Sequence, residues 1–552
     1  MLDVSIFAWV LRSVPGAGVV LASFVVFLSR HHEPSRSRLS RGARRGLSPL
    51  CLHTATHDFL FSHPSMRLAP RTPLFSLLLL ALSGLLLGGC TSEEAPSDRP
   101  NVLFILADDM GYGDVGAQNA DSNIPTPHLD RLADQGMRFT DAHASAAVCI
   151  PSRYGLLTGR YPHRERTSEW RERALLAPDQ TTVATALQDR GYSTYMVGKW
   201  HLGFEGGDDY DCSQPLRGGP VDHGFEHYFG IPASLDQPPY FYIRDDRCVE
   251  APTDTTTGNR SDADIWTDIQ GAFWRAGDKA PGFAHDEVLP RFTEETVSYL
   301  RTHREERPDT PFFAYVALAA PHTPWLPADS LRGTSGAGLY GDFVRQVDGA
   351  VGRILKTLDR LDLRENTLVV FSSDNGPVWY QHDAEHFQHR STDAYRGMKA
   401  DAWEGGHRVP FLVRWPGHVP SGATSDQLLS FTDMLPTLAD AGGPALPTDS
   451  ADGHNVRPVL TGERDSIDRG GSVFQATYYL ALRDGPWKFI PGLGSGGFIS
   501  TPHTREPGPG GPAGQLYHLG RDPGEQNNLY EERPEVVVRF QNRLQQYRRQ
   551  QP

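Results

Sequence analysis

Asn101-Val102-Leu103-Phe104-Ile105-Leu106-Ala107-Asp108-Asp109 is an apolar run that ends in two carboxylates. A run that short, with no polar alternation, reads as a strand buried on both faces, as in a parallel sheet. The same design recurs three times. Thr367-Leu368-Val369-Val370-Phe371-Ser372-Ser373 ends in Asp374-Asn375-Gly376, residues 311–320 end in Pro321-His322, and residues 192–197 end in Gly198-Lys199-Trp200-His201. Helical patterns lie between them, over residues 182–190, 292–304 and 341–361. Strands alternating with helices predict an α/β fold with a mostly parallel sheet. Such sheets bind ligands outside the carboxyl ends of their strands. Four strands here deliver polar residues to that edge.

Asp108, Asp109, Asp374 and Asn375 form an all-oxygen set, the donor type that Ca²⁺ or Mg²⁺ takes. One such residue alone is more often a helix cap or a solvated loop group. Two strand ends supplying four of them favour a metal. A different chemistry enters at Cys149-Ile150-Pro151-Ser152-Arg153, followed by Leu157-Thr158-Gly159-Arg160. Pro151 suits the first turn of a helix, where its missing N–H would be unpaired anyway. A helix N-terminus beside Ser152 and Arg153 favours an anion. A lone cysteine is usually a small core residue, but this one sits where a strand should turn into a helix.

The pattern C-x-P-S-R with its L-T-G-R tail resembles the signature of type I sulfatases of the arylsulfatase A kind, and the resemblance runs from about Asn101 to the C-terminus. It implies an alkaline phosphatase-like fold: a large mixed, mostly parallel sheet sandwiched by helices, with a smaller C-terminal antiparallel sheet plus helix. It implies oxidation of Cys149 to formylglycine by a maturation enzyme, and a metal, calcium by family expectation with magnesium possible, held by Asp108, Asp109, Asp374, Asn375 and residue 149. Arg153, Lys199, His201, His322 and Lys399 match family active-site positions. Lys199, His322 and Lys399 would also bind the substrate, with Ser234, in Gly230-Ile231-Pro232-Ala233-Ser234, as a further polar contact. Lys199 and His201 are two apart, so on an extended segment both side chains would point the same way. The resemblance also implies the reaction: hydrated formylglycine attacks the sulfur of a sulfate ester, His322 with Lys399 protonates the leaving alcohol, and His201 assists release of sulfate. His143, six residues before the signature, could contact the substrate or be a satisfied polar residue, and the second reading is favoured.

Composition limits the function. The 552 residues are 39% hydrophobic and 22% charged, with net charge −14. Residues 66–90 read as a lipoprotein signal peptide. Arg67 and Arg71 open it, residues 74–87 are its apolar run, and Leu87-Gly88-Gly89-Cys90 resembles a bacterial lipobox with Cys90 as the lipidated residue. Residues 1–65 would then be an upstream extension before a complete export signal, with translation starting at Met66. Residues 1–89 carry nine arginines against Asp3, Glu33 and Asp58, so their removal takes the chain from −14 to −20. A chain that acidic does not bind nucleic acid nonspecifically, and a sulfated substrate needs concentrated local cations. The expected product is an exported periplasmic or cell-surface enzyme on a lipid anchor. In that compartment Cys212 and Cys248 could pair, and the sequon Asn259-Arg260-Ser261 is without consequence.

Residues 98–462 are read as the catalytic domain and 463–552 as a C-terminal subdomain. Residues 472–480 and 487–490 look like short antiparallel strands, and 515–519 like a final one. Residues 491–514 form a Gly/Pro-rich loop, flexible or on the substrate side. Residues 535–549 read as an amphipathic helix with Val536, Val537, Phe540 and Leu544 on one side. The first expectation is hydrolysis of sulfate esters, on sulfated carbohydrates for an anchored enzyme. Two alternatives are a phosphate or phosphonate ester hydrolase of the same superfamily and a non-catalytic lipoprotein that binds sulfated glycans.

Overall fold

The structure, a computed structural model, describes residues 99–261, 265–267, 269–447 and 450–549. The upstream extension, the signal segment and Cys90 lie outside these residues.

Ten strands form the main sheet: β1 (Asn101–Asp108), β2 (Met137–Phe139), β3 (Ser193–Lys199), β4 (His227–Ile231), β5 (Ile243–Arg244), β6 (Arg247–Cys248), β7 (Phe312–Pro321), β8 (Thr367–Ser373), β9 (Phe411–Arg414) and β10 (Ala423–Ser425). Their order is β10-β2-β9-β8-β1-β7-β3-β4-β5-β6. The central five, β8-β1-β7-β3-β4, are parallel, and β9, β5 and β6 add antiparallel pairs. Every residue of β1, β3, β7 and β8 is buried. Unalternated Val, Leu, Ile and Phe therefore suit a sheet covered on both faces. Each fully buried Leu, Ile or Phe contributes about 1.5–3 kcal/mol.

Helices cover the sheet in two groups. α2 (Val288–Glu306) and α3 (Gly338–Arg360) pack on each other and on β7, while α1 (Cys149–Thr158) packs with helices Val183–Gln188 and Met434–Ala441. α1 begins at Cys149 itself, with Pro151 in its first turn, and ends at Gly159 with φ 66. Glycine adopts that left-handed cap without strain.

The C-terminal part holds a four-stranded antiparallel meander: β11 (Ser472–Gln475), β12 (Leu480–Asp484), β13 (Trp487–Ile490) and β14 (Gln515–His518). The single strand expected over 472–480 is thus two, because the chain turns at Ala476 and Tyr479, where Ala476 N–H donates to Tyr479 O at 2.8 Å. The final helix, α4, is Pro534–Arg549, and Val536, Val537, Phe540 and Leu544 bury against Leu482, Phe489 and Leu516. Cys212 and Cys248 form a disulfide, and Cys149 is the free cysteine among the described residues.

Candidate active site

The parallel strands align their carboxyl ends. Ala107 is in register with Ser373, Asp108 with Pro321, and Lys199 with Ile231. This register gathers Asp108, Lys199, His322 and Asp374 at one edge, where the α1 N-terminus supplies Cys149.

Several backbone devices aim the side chains. Asp109 has φ 64, a left-handed conformation that a non-glycine residue holds only when its surroundings enforce it. Tyr340 Oη donates to Asp109 O at 3.1 Å, and Asp109 N–H donates to Asp374 Oδ1 at 3.2 Å. Gly198 has φ 122, and a Cβ there would lie 1.8 Å from Ala317 O, so only glycine lets β3 present Lys199. Ala400, next to Lys399, has φ 75.

Arg153 ties three elements together. Its Nε donates to Asp374 Oδ2 at 2.9 Å, Nη2 pairs with the same oxygen at 2.7 Å, and Nη1 donates to Lys199 O at 2.8 Å. Lys199 Nζ donates to Asp108 Oδ2 at 2.6 Å, and Lys399 Nζ donates to Asp109 Oδ2 at 2.9 Å. Lys399 Nζ also lies 3.4 Å from Cys149 Sγ, which is 3.6 Å from Asp108 Oδ1. His322 Nε2 is 3.6 Å from Asp109 Oδ2, and its Nδ1 meets Thr323 O at 2.7 Å. A carbonyl only accepts, so Nδ1 carries the hydrogen and Nε2 faces the carboxylates.

The electrostatics follow from dense charge in a dry site. Burial disfavours the Asp108 carboxylate, but Lys199, His322, Arg153 and Lys399 outweigh it and hold the group well below the usual carboxylate range. Burial, then the adjacent Asp108 charge, raise Asp374. Burial pushes the Cys149 thiol up to about 12 despite Lys199 and Lys399. Burial, Lys199 and Arg153 hold His201 well below its ordinary value, so its imidazole is neutral.

His201 corrects one expectation. β3 ends at Lys199, and His201 has φ 59, so the segment is not extended through His201. His201 N–H donates to Pro232 O at 3.0 Å, its ring meets the Trp170 ring edge-on at 4.6 Å, and both ring nitrogens are buried without a hydrogen-bond partner. Ser234, two residues beyond Pro232, also has a buried hydroxyl without a partner. That hydroxyl makes no hydrogen bond to the carboxylates among the described residues.

Ligand atoms of Asp108, Asp109, Cys149 and His322 all lie within 4.8 Å of one another. Asn375 Nδ2 donates to Asp109 Oδ1 at 2.6 Å and to Gly376 O at 2.9 Å, leaving its buried Oδ1 without a partner. A buried, unsatisfied carboxamide oxygen beside three carboxylates fits a hard dication.

Sequence reasoning missed a second buried cluster. His143 is satisfied, as expected, but its partners belong to a network. Lys488 Nζ lies 3.1 Å from His407 Nε2, His407 Nδ1 lies 3.0 Å from His143 Nδ1, and His143 Nε2 lies 2.9 Å from Asp141 Oδ1. An ammonium only donates, so every tautomer along this chain is assigned and both rings are neutral. Glu404 pairs with Lys488 at 3.0 Å, Arg408 at 2.7 Å and Arg483 at 3.2 Å, and Lys488 also pairs with Glu525 at 3.1 Å. Three cations around His143, Glu404 and His407 argue against a metal there. The same turn supports the first cluster: Gly376 N–H donates to Gly406 O at 3.0 Å, and a Cβ on Gly376 would lie 1.8 Å from Gly405 O. The block 403–410 was legible as a family motif, but its partners sit more than 70 residues away on β12, β13 and the loop after β14.

Comparison with known proteins agrees with this geometry. Residues 100–444 match the Sulfatase family model. The chain is 34% identical to N-acetylgalactosamine-6-O-sulfatase of Bacteroides thetaiotaomicron, over 84% of this chain and 97% of that protein. It is 34% identical to human arylsulfatase A, over 84% of this chain and 87% of that protein. A solved structure from work on the metabolism of multiple glycosaminoglycans by Bacteroides thetaiotaomicron superposes with TM-score 0.71 at 31% identity, covering 82% of this chain and 99% of that one. The chain is a sulfatase, a member of the type I sulfatase family.

Proposed function

We propose that this sulfatase cleaves sulfate esters of carbohydrates with a formylglycine made from Cys149 and a divalent cation held by Asp108, Asp109, Asp374 and Asn375. The observation that carries the proposal is the convergence of the Lys199 and Lys399 ammoniums on the carboxylates around Cys149 Sγ, 2.6 and 2.9 Å from Asp108 and Asp109. A net-acidic protein otherwise repels sulfate, and Lys199, Lys399 and Arg153 here offset the three carboxylates, so that a bound dication would leave the site net positive. The carbohydrate class is supported by the relative named N-acetylgalactosamine-6-O-sulfatase. Calcium is the cation expected from the family, and magnesium has the same oxygen preference.

Formylglycine supplies a hydrated aldehyde as nucleophile, and the cation supplies charge that polarises it. The chain's own residues do the rest. Arg153 clamps Asp374 and the Lys199 carbonyl, which fixes the ends of β8 and β3 against α1. Lys199 and Lys399 neutralise sulfate oxygens through fixed, desolvated ammoniums. His322, with its hydrogen on Nδ1 directed to Thr323 O, presents Nε2 for proton transfer to the leaving oxygen, with Lys399 beside it. His201, neutral and with both nitrogens unpartnered, can accept the proton released when sulfate is expelled. Ser234, with its buried hydroxyl unpartnered, would be a further polar contact for the substrate.

Residues 66–90 support export and a lipid anchor on Cys90, which would hold the enzyme at a bacterial membrane facing the periplasm or the cell exterior. A maturation enzyme that oxidises Cys149 is then a required partner. The test is co-expression with such an enzyme, peptide mapping of residue 149, and parallel assays on sulfated sugars, 4-nitrophenyl sulfate and 4-nitrophenyl phosphate. Oxidised residue 149 and sulfate release from sugars are expected. Turnover of the phosphate ester ahead of every sulfate ester would overturn the proposal in favour of a phosphate or phosphonate hydrolase. No turnover at all would favour the non-catalytic glycan-binding alternative.

A further inference from the structure

We propose that Tyr478 and Phe498, from two loops of the C-terminal sheet, form an aromatic saccharide subsite beside the reaction centre. They would stack on the sugar ring that follows the sulfated one. The inference rests on the carbohydrate reading above and adds where the rest of the substrate lies.

Both side chains are large, apolar and exposed, at 55% for Tyr478 and 49% for Phe498. Their loops are stitched to the segments that present Cys149 and Lys399. Gln475 N–H donates to Ser145 O at 3.2 Å, and Ala147 N–H donates to Gln475 O at 2.8 Å, two residues before Cys149. Ala400 N–H donates to Ala147 O at 2.7 Å, directly after Lys399. The second loop joins the same frame, since Ala402 N–H donates to Ser495 O at 2.7 Å and Ser500 Oγ donates to Asp401 Oδ2 at 2.6 Å. A Cβ on Gly497 would lie 2.6 Å from Ala400 O, so the residue before Phe498 touches the residue after Lys399.

The two aromatic loops also hold each other. Tyr478 N–H donates to Gly496 O at 2.9 Å, which sets Tyr478 beside the loop segment that leads to Phe498. Tyr479 turns inward, its hydroxyl donating to Leu493 O at 2.8 Å, so its neighbour Tyr478 turns outward. Ser495 Oγ donates to Ser500 O at 2.8 Å and accepts from Gly497 N–H at 3.1 Å, closing the second loop on itself. Rings on loops fixed by this many hydrogen bonds lose little freedom on binding. An aromatic face offers a pyranose ring an apolar surface without competing for the sulfate, which the buried ammoniums take.

The test compares the wild type with Tyr478→Ala and Phe498→Ala, and with the conservative Phe498→Tyr. All are matured and assayed on 4-nitrophenyl sulfate, on the sulfated monosaccharide that the wild type cleaves fastest, and on the tetrasaccharide ending in it. Each alanine variant should raise KM for the tetrasaccharide about ten-fold with kcat unchanged, and Phe498→Tyr should retain the wild-type KM. A tetrasaccharide KM within about two-fold of wild type in both alanine variants would overturn the subsite. An equal loss on all three substrates would also overturn it, because the residues would then be structural. If the wild type turns over 4-nitrophenyl sulfate but no sulfated sugar, the carbohydrate reading itself fails and the subsite with it.

Discussion

Lys399 Nζ lies 3.4 Å from Cys149 Sγ, yet burial still pushes the thiol up to about 12. In the absence of a metal, burial thus disfavours the thiolate. An unmodified Cys149 is therefore a poor nucleophile in the folded chain. Protein expressed without a maturation enzyme should resist iodoacetamide at pH 8 while native and be alkylated at residue 149 once unfolded. Its sulfatase activity should fall by three orders of magnitude or more relative to the matured form, roughly the loss seen when a nucleophile is removed. Rapid native alkylation at residue 149 would show that the site generates a thiolate after all.

Asn375 Oδ1 is buried without a partner beside the Asp109 carboxylate. A bound dication would satisfy it and stabilise the fold by mass action, by about 2.7 kcal/mol at a hundred-fold excess over Kd. Chelation should lower the Tm of the wild type, and calcium should restore it. In Asn375→Ala that calcium-dependent shift should shrink, measured by scanning calorimetry and by metal content. An undiminished shift would place the cation elsewhere.

Glu525 illustrates a pH effect far from the reaction. Burial, then the neighbouring Glu404, raise its carboxyl from 4.5 to about 7 although Lys488 opposes them. The unfolded chain gives up this proton near pH 4.5 and the folded chain keeps it to about pH 7, so the folded state binds more protons in that window. Stability from this group therefore falls as pH rises from about 4.5 to 7 and then levels. Glu525→Gln should remove the fall, so the Tm of the variant should gain on the wild type across that window. A constant Tm difference from pH 4.5 to 8 would contradict the assignment.

Lys488 tests the same network by deletion. Replacing it with Met keeps the volume but leaves Glu404 and Glu525 with fewer partners. Breaking a buried ion pair in this way costs about 3–5 kcal/mol, which denaturant unfolding would read. The double variant Lys488→Met with Glu525→Gln should recover part of the loss. Purely additive effects would mean that the two residues are not coupled.

The strands were legible because a parallel sheet buried on both faces writes itself as unbroken apolar runs, and β1 and β8 ended within a residue of the reading. Asp108, Lys199, His322 and Asp374 were legible because such runs stop at the ligand-binding edge. The left-handed turns at Asp109, His201 and Ala400 were not, since none is glycine and only the surrounding packing enforces them. That is why the extended segment expected through Lys199 and His201 is a turn at His201 instead. The Asp141–His143–His407–Lys488 chain was hidden for another reason. Its members come from three segments, residues 141–143, His407 and Lys488, and no local period links Lys488 on β13 to His143.

His322 Nδ1 is committed to Thr323 O at 2.7 Å, so only Nε2 can serve the leaving oxygen. Its contribution should depend on how badly that oxygen needs a proton. A sugar hydroxyl is a poor leaving group without protonation, whereas 4-nitrophenolate leaves readily as an anion. His322→Gln should therefore lower kcat on a sulfated sugar by about 10²–10⁴-fold, the usual contribution of a general acid. On 4-nitrophenyl sulfate the loss should be at least ten-fold smaller, about 1.4 kcal/mol of barrier difference. His201→Gln should behave differently, because expulsion of sulfate from the enzyme is common to both substrates, and should slow both by similar factors. Single-turnover kinetics on the two esters would separate these outcomes. Equal losses for His322→Gln on both substrates would assign His322 to sulfate binding rather than to proton transfer.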